Sequence, residues 1–253
     1  MLSVEERGAV AIVRLDHGKV NVLDLELLGA LIETMRDLAD GPAVVLTGTG
    51  TVFSAGVDLR RIVTGGPPYI RQFLPALREA FLALFDHPRP LVAAVNGHAL
   101  AGGCVFAAAC DLRLMSGGTI GLTELLVGVP FPTAALEIMR YAAGPAASML
   151  ALTGRALPPG EALRIGLVDA VVEPAELLDR AVERAGELAA LPAAAYALTK
   201  DQLHRPARQR IDEQGPVDDR RAAAMWEDEA GLAAIAAYLE RLGQRRAGHG
   251  SAG

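Results

Sequence analysis

The sequence is poor in several residue types, and each shortage argues against a class of protein. Only Lys19 and Lys200 of its 24 basic residues are lysines, and the net charge is −6, so we expect no general binding to nucleic acid or to an anionic membrane. Its two cysteines, Cys104 and Cys110, would lie on different faces of one helix and indicate neither a disulfide nor a metal site. We find neither a signal peptide nor an apolar run long enough to cross a bilayer, and we therefore expect a soluble, cytoplasmic protein.

The residues that are abundant indicate a globular chain. Of the 253 residues, 51% are hydrophobic and 21% are charged, which is enough for a large hydrophobic core and too apolar for a disordered chain. We expect a core domain over residues 1–200 and a C-terminal helical region over 201–243. This region would pack on the core or on a neighbouring subunit. Residues 244–253 would form a flexible tail.

The stretch from Leu91 to Leu114 organises the rest of the chain. Leu91–Val95 predicts a buried strand that ends at Asn96-Gly97, and the apolar run Cys104–Cys110 predicts a buried helix that begins near Gly102. The start of a helix offers unpaired N–H groups and the positive end of a dipole. Because glycine has no Cβ, a ligand oxygen can approach the backbone there closely. The stretch has the features of half of an anion-stabilising site.

Strands and helices alternate along the chain. Val10–Leu15, Ala43–Leu46 and Val168–Val172 predict further strands, and helical stripes of apolar residues lie between the strands. This alternation predicts an α/β fold with crossover connections and a mostly parallel sheet. We expect Gly65–Pro68 to form an exposed turn and Asp201–Arg221 to be charged and loop-like.

Two glycine-containing loops, Phe53–Leu59 and Asn96–Gly103, each follow a short buried strand. Each loop could donate one backbone N–H to the same oxygen, and two such donors form an oxyanion hole. On spacing alone, the alternative that both loops are ordinary tight turns stays open.

Two other motifs are incomplete. Gly48-Thr49-Gly50 follows a strand, as in a dinucleotide-binding fingerprint, but Phe53 occupies the third glycine position and no helical pattern follows. Phe53–Gly56 half-resembles a nucleophile elbow around Ser54, but Val52 stands where that motif needs glycine. We therefore reject a serine hydrolase and regard a Rossmann site as weakly supported.

Four segments in the same order resemble the signatures of the crotonase (enoyl-CoA hydratase/isomerase) superfamily. They are Phe53–Leu59 (FSAGVDL), Asn96–Cys104 (NGHALAGGC), Ile120–Gly128 (IGLTELLVG) and Pro158–Asp169 (PPGEALRIGLVD). The resemblance covers nearly the whole chain and implies a crotonase-like α/β fold of βαβ units with a helical C-terminal region. It also implies an enzyme that acts on acyl-CoA thioesters, uses no cofactor beyond the coenzyme A of its substrate, and forms a homotrimer or a dimer of trimers.

The resemblance carries roles over to particular residues. The N–H groups of Val57 and Gly102 would hold the thioester oxygen. Hydratases of the family carry two glutamates; Glu124 matches one of them, whereas Val105 stands at the position of the other. Hydration needs one carboxylate to activate water and another to help deliver the proton, but a double-bond isomerase needs only one base.

We therefore predict an isomerase that converts 3-enoyl-CoA to 2-enoyl-CoA in fatty-acid breakdown, and the motifs are most similar to those of the mitochondrial type of Δ3,Δ2-enoyl-CoA isomerase. One alternative is a hydratase or another enolate-forming reaction, such as decarboxylation. Another alternative, of a different class, is a CoA-ester-binding protein without catalysis.

The coenzyme A portion would lie along the first loop. The resemblance places it against the backbone of Ala55, Asp58 and Leu59, with its phosphate at Arg60; Lys19 and Arg61 are weaker candidates for the phosphate contact.

Other polar residues near these segments have plainer interpretations. A glutamate in a loop is usually solvated, but the leucines around Glu124 predict that it is half-buried, with a raised pKa suited to a base. We interpret Asp58 and Asp111 as hydrogen-bonding residues of a loop and a helix end. His98 would pack in or line the pocket.

Overall fold

A computed structural model describes residues 1–250, and side chains are described as far as residue 244. The described residues form the following strands: β1 Leu2–Arg7, β2 Val10–Leu15, β3 Val22–Leu23, β4 Ala43–Gly48, β5 Val52–Ser54, β6 Gly56–Val57, β7 Leu91–Val95, β8 His98–Leu100, β9 Leu112–Met115, β10 Ile120–Gly121, β11 Ala156–Leu157 and β12 Ala170–Val171. They also form the following helices: α1 Leu25–Asp37, α2 Leu59–Phe85, α3 Gly102–Ala108, α4 Glu124–Val127, α5 Thr133–Ala143, α6 Ala146–Thr153, α7 Pro159–Arg164, α8 Leu177–Ala189, α9 Ala193–Glu227 and α10 Glu229–Gly250.

The main sheet has six strands in the order β1-β2-β4-β7-β9-β12. Only the β1–β2 pair is antiparallel; the other neighbours are parallel, as the alternation of strands and helices predicted. Parallel sheets are covered on both faces, which explains why β4 and β7 are buried along their whole length. Alternate residues of β4 face opposite layers: Val45 packs with Ala181 of α8, and Val44 packs in the larger core that includes Leu28 of α1.

A second, smaller sheet brings three of the signature segments side by side. Its order is β11-β10-β8-β5, with β5, β8 and β10 parallel to one another. Ala99 of β8 lies opposite both Ser54 of β5 and Ile120 of β10, so the residues that follow these strands emerge close together. β3 and β6 form a separate parallel pair beside them.

One prediction about the C-terminal region is wrong. Asp201–Arg221 is not a loop but lies within α9, a helix of 35 residues. Its buried positions include Lys200, His204, Ala207 and Ile211, which recur at helical spacing. Because the first two of these are polar, the stripe does not show in the hydrophobic pattern of the sequence.

Smaller differences concern element ends. The predicted turn at Gly65–Pro68 is a break inside α2 at Gly66, whose φ of 56° and ψ of −156° are not helical; the helix resumes at Pro67, where a first-turn proline is tolerated. The strand predicted over Val168–Val172 shortens to β12. Residues 244–250 of the predicted tail continue α10, and residues 251–253 lie outside the described residues.

The C-terminal helices pack on the core of the same chain. Asp219 of α9 accepts hydrogen bonds from the Thr133 N–H and hydroxyl at the start of α5, and Arg210 of α9 pairs with the buried Glu137 of α5. Within the described part of the chain, we find no helix with the length and apolar character that crossing a membrane requires.

Candidate active site

The structure brings the two glycine loops into direct contact. A methyl group on Gly56 would lie 2.8 Å from the Leu100 carbonyl oxygen and 3.4 Å from the Gly102 nitrogen, and Gly56 itself has a φ of 82°. Both the close approach and the left-handed backbone require glycine there. The segments that carry Val57 and Gly102, the two predicted oxygen-binding positions, therefore pack backbone to backbone.

The backbone directions at these two positions leave N–H groups for a ligand. Asp58 donates its N–H to the Leu23 carbonyl oxygen of β3 at 3.0 Å. Successive residues of an extended strand point to opposite sides, so the Val57 N–H faces away from β3. Gly102 is the first residue of α3, and its N–H has no acceptor within that helix.

Ala101 fixes the start of α3. It has a φ of 52°, which is uncommon for a residue with a side chain, and it donates its N–H to the Gly121 carbonyl oxygen at 2.9 Å. This bond ties the beginning of α3 to the end of β10. Since Glu124 follows only three residues after Gly121, the same bond holds the Glu124 segment beside Gly102.

Glu124 is the first residue of α4 and is more deeply buried than the predicted half-burial, with only 8% of its surface exposed. Its Oε2 atom has no hydrogen-bond partner among the described residues. Burial raises the pKa of its carboxyl to about 8, and hydrogen bonds from the Glu124 and Thr123 N–H groups offset only part of this rise. A buried carboxylate with an unused oxygen is suited to take up a proton near neutral pH.

The Glu124 carboxyl lies near the first turn of α3. The pKa of the Cys104 thiol in that turn is raised, first by burial and then by the negative charge of Glu124. α10 of the same chain covers α4, because a methyl group on Gly128 at the end of α4 would lie 2.9 Å from the Ala234 Cβ. The C-terminal helix therefore packs on the short helix that begins with Glu124.

The other acidic candidates are already occupied, which confirms their interpretation as hydrogen-bonding residues. Asp58 caps α2 by accepting the N–H groups of Arg60 and Arg61. Asp111 accepts the Leu91 N–H and the Tyr196 hydroxyl. The Lys200 ammonium also pairs with Asp111, at 2.8 Å.

The helix position that carries a glutamate in hydratases is apolar here. Val105 is fully buried in the main hydrophobic core. It lies one turn into α3 and brings no second carboxylate to the site.

The predicted coenzyme A residues lie together on the first loop and the start of α2. Ala55, Asp58 and Leu59 are half-buried, whereas Arg60 is exposed. The Ala55 N–H is used internally, since it donates to the Val20 carbonyl oxygen.

The three basic candidates for the phosphate contact differ in availability. Arg61 is engaged by Glu26 and lies 3.6 Å from Asp24. Arg60 and Lys19 are exposed, and within residues 1–244 neither forms an ion pair. They are the cations left free for a ligand phosphate in this part of the surface.

His98 is exposed rather than packed in the core. Its Nδ1 accepts the Thr119 N–H at 3.1 Å and lies 3.0 Å from the Thr119 hydroxyl, so the ring links β8 to the residue before β10.

The sequence did not predict the structural roles of two buried polar residues at the site, Asn21 and Ser54. Asn21 has a φ of 49° and bonds to the backbone of β5, and Ser54 was considered only as a nucleophile. The sequence did contain a hint of the Asn21 conformation. Asparagine tolerates the left-handed backbone region, and Asn21 stands directly before the apolar pair Val22-Leu23.

Comparisons with known proteins agree with this geometry. The enoyl-CoA hydratase/isomerase family model matches residues 5–245. A putative enoyl-CoA hydratase of Thermus thermophilus is 37% identical over 78% of this chain and 81% of its own. Mitochondrial enoyl-CoA delta isomerase 1 of Homo sapiens is 30% identical over 94% of this chain and 82% of its own.

The solved structures agree as well. The crystal structure of human mitochondrial Δ3-Δ2-enoyl-CoA isomerase superimposes with a TM-score of 0.91 at 30% identity, covering 96% of this chain and 98% of that one. That of a probable enoyl-CoA hydratase from Mycobacterium tuberculosis gives 0.78 at 29% identity, covering 92% and 97%. The resemblance and the crotonase-like fold are thereby confirmed, and the chain belongs to the enoyl-CoA hydratase/isomerase family of enzymes.

Proposed function

We propose that the enzyme is a double-bond isomerase that converts a 3-enoyl-CoA to the conjugated 2-enoyl-CoA. One observation carries the proposal. Glu124 is a buried carboxylate with an unused oxygen beside the start of α3, while Val105 leaves the site without a second carboxylate from that helix. One base is enough for isomerisation, whereas hydration has to activate a water molecule and also deliver a proton.

In the proposed reaction, Glu124 breaks a C–H bond at the α carbon and takes the proton. The electron pair moves onto the thioester oxygen, where the Val57 and Gly102 N–H groups stabilise the developing negative charge. The double bond then shifts, Glu124 returns the proton at the γ carbon, and the carboxylate is regenerated. No water is consumed, so the atoms of substrate and product balance.

The coenzyme A portion of the substrate extends along the first loop, against Ala55, Asp58 and Leu59, with its phosphate at Arg60. The proposal needs no cofactor beyond this coenzyme A. Assembly into a homotrimer or a dimer of trimers is part of the same proposal and follows from the family resemblance.

A hydratase is the second candidate, because relatives carrying that name are among the similar proteins. One experiment separates the two. The purified enzyme is supplied with a 3-enoyl-CoA or, separately, with a 2-enoyl-CoA in water, and the products are identified. We expect conjugated 2-enoyl-CoA from the first and little 3-hydroxyacyl-CoA from the second. Rapid hydration of the 2-enoyl-CoA would overturn the proposal, and no turnover of either substrate would favour a CoA-ester-binding protein.

A further inference from the structure

Ser54 is fully buried at the end of β5 and belongs to none of the groups proposed to touch the substrate. Its hydroxyl donates to the Asn21 carbonyl oxygen at 2.7 Å and accepts the Gly56 N–H at 3.2 Å. One side chain thus joins the residue before β3 to the residue before Val57.

Asn21 is itself locked in place. Its amide nitrogen donates to the Val52 and Phe53 carbonyl oxygens, both at 3.1 Å, and its side-chain oxygen accepts the His17 N–H at 2.9 Å. Asn21 is buried and holds a left-handed backbone, which persists in a non-glycine residue only where the surroundings enforce it. The carbonyl that receives the Ser54 hydroxyl therefore has a fixed position.

Ser54 also contacts the other half of the site. A methyl group on Gly103, in the first turn of α3, would lie 2.4 Å from the Ser54 carbonyl oxygen and 2.8 Å from its Cβ. The separation between the first loop and the start of α3 is therefore set by direct contact between Ser54 and Gly103.

We propose that Ser54, held by Asn21, is the positioning residue that sets the direction and spacing of the Val57 and Gly102 N–H groups. The Val57 N–H belongs to the peptide plane between Gly56 and Val57, and Gly56 has no side chain to restrict its rotation. The bond from the Gly56 N–H to the Ser54 hydroxyl holds the preceding peptide plane, between Ala55 and Gly56, and so fixes the point from which the chain turns toward Val57. Donors that hold a developing oxyanion are effective only when their geometry is fixed beforehand.

This inference rests on the proposed function, and its test includes a measurement that does not depend on turnover. The thioester carbonyl stretch of a bound saturated acyl-CoA, recorded by difference infrared spectroscopy, reports how strongly the two N–H groups polarise that oxygen. In the wild-type protein we expect the stretch to fall to lower frequency on binding.

The decisive variant is Ser54→Ala, compared with Thr47→Val. Thr47 is also a buried residue whose hydroxyl donates to a carbonyl oxygen, that of Ala94 at 2.8 Å in the main sheet, and it serves as a matched control for lost stability. We expect Ser54→Ala to lose part of the carbonyl shift and about tenfold in kcat, less than the loss of a whole donor, with KM changed by less than about twofold. Thr47→Val should lower the melting temperature similarly and leave kcat and the carbonyl shift unchanged.

The outcomes separate the two proposals. A wild-type shift that persists in Ser54→Ala, with kcat matching that of Thr47→Val, overturns the role of Ser54 alone. A carbonyl that is not shifted in the wild-type protein overturns the oxyanion assignment, and this inference with it. If Ser54→Ala does not fold, Asn21→Gly, which still permits the left-handed backbone but removes the amide, is judged by the same shift. A reduced shift supports the proposal, and a wild-type shift overturns it.

Discussion

Two carboxylates at opposite ends of the parallel strands, the half-buried Asp111 and the buried Glu124, behave in opposite ways. Asp111 stands before β9 and bonds to the N–H of Leu91 at the amino end of β7, whereas Glu124 lies among the segments that follow the carboxyl ends of the strands. Asp111 accepts from the Leu91 N–H and the Tyr196 hydroxyl, and it lies 2.8 Å from the Lys200 Nζ. Glu124 keeps one oxygen without a partner among the described residues.

The difference shows which of the two carboxylates is available for chemistry. A carboxylate whose acceptor positions are filled holds elements together, here α9 against β7. One that is desolvated without a cation has a raised pKa and is ready to exchange a proton. Its place also agrees with the rule that ligands bind at the carboxyl ends of the strands of open α/β sheets.

Removing the Asp111 charge should have the largest effect, and the effect should be on stability. Asp111→Asn leaves Lys200 buried without its partner, so we expect the free energy of unfolding to fall by about 3–5 kcal/mol. Urea denaturation measures this, and kcat of the folded protein should stay within about twofold. The double variant Asp111→Asn/Lys200→Met, which removes both charges, should recover most of the loss. A loss under about 1 kcal/mol in the single variant would contradict a structural role for this pair.

The corresponding change at Glu124 should affect activity instead. Glu124→Gln keeps the shape and removes the base, so isomerisation of a 3-enoyl-CoA should fall by at least about 100-fold. The melting temperature should not fall, since the variant no longer buries an ionisable group. Substantial activity in folded Glu124→Gln would show that another group takes the proton.

These two residues also show which features could be predicted from the sequence and which could not. The motifs around Gly102 and Glu124 were sufficient to predict the fold class, because the buried strands, the apolar helix and the glycine turns are all local patterns. The leucines next to Glu124 predicted that its side chain is partly buried. They did not predict how deeply it is buried, because α10, which covers α4, lies more than a hundred residues away in the chain.

Other features were hidden for a similar reason. α9 is charged over most of its surface, and its buried stripe includes Lys200, which is compatible with the core only because Asp111 meets it there. The role proposed for Ser54 depends on its hydrogen bond to Asn21, 33 residues earlier in the chain. Such pairings come from tertiary contact, and no local spacing predicts them.

The pH dependence of the reaction should follow Glu124. Its pKa is raised to about 8, and only the deprotonated carboxylate can act as the base. We expect kcat/KM to rise about tenfold per pH unit below this value and to level off above it. A profile that is already flat from pH 6 upwards would contradict the assignment.

The same pKa predicts a change in stability. Between the ordinary value of 4.5 and about 8, the folded protein keeps a proton that the unfolded chain releases, so raising the pH across this window should destabilise the wild-type protein. Glu124→Gln lacks this contribution. Its melting temperature relative to wild type should therefore increase with pH across the window, and a constant difference would contradict the raised pKa.

Adding a second carboxylate at position 105 tests whether its absence is what prevents hydration. Val105→Glu places an acid in the apolar core, and we expect the free energy of unfolding to fall by about 1–3 kcal/mol, with at best a slight gain of hydration activity. Val105→Gln, of the same size and without the charge, is the control. Rapid hydration by Val105→Glu and not by Val105→Gln would show that the missing carboxylate alone separates the two activities.

The smallest effect is expected at an exposed charge. Arg60 forms no ion pair within residues 1–244, so Arg60→Ala would remove only the proposed, solvated contact with the phosphate of the substrate. A contact of this kind contributes up to about 1 kcal/mol, so KM for the CoA ester should rise about twofold to fivefold with kcat nearly unchanged. The defect should shrink at high salt, where charges are screened. Lys19→Ala is the matched control: if it raises KM at low salt and Arg60→Ala does not, the phosphate lies at Lys19 instead.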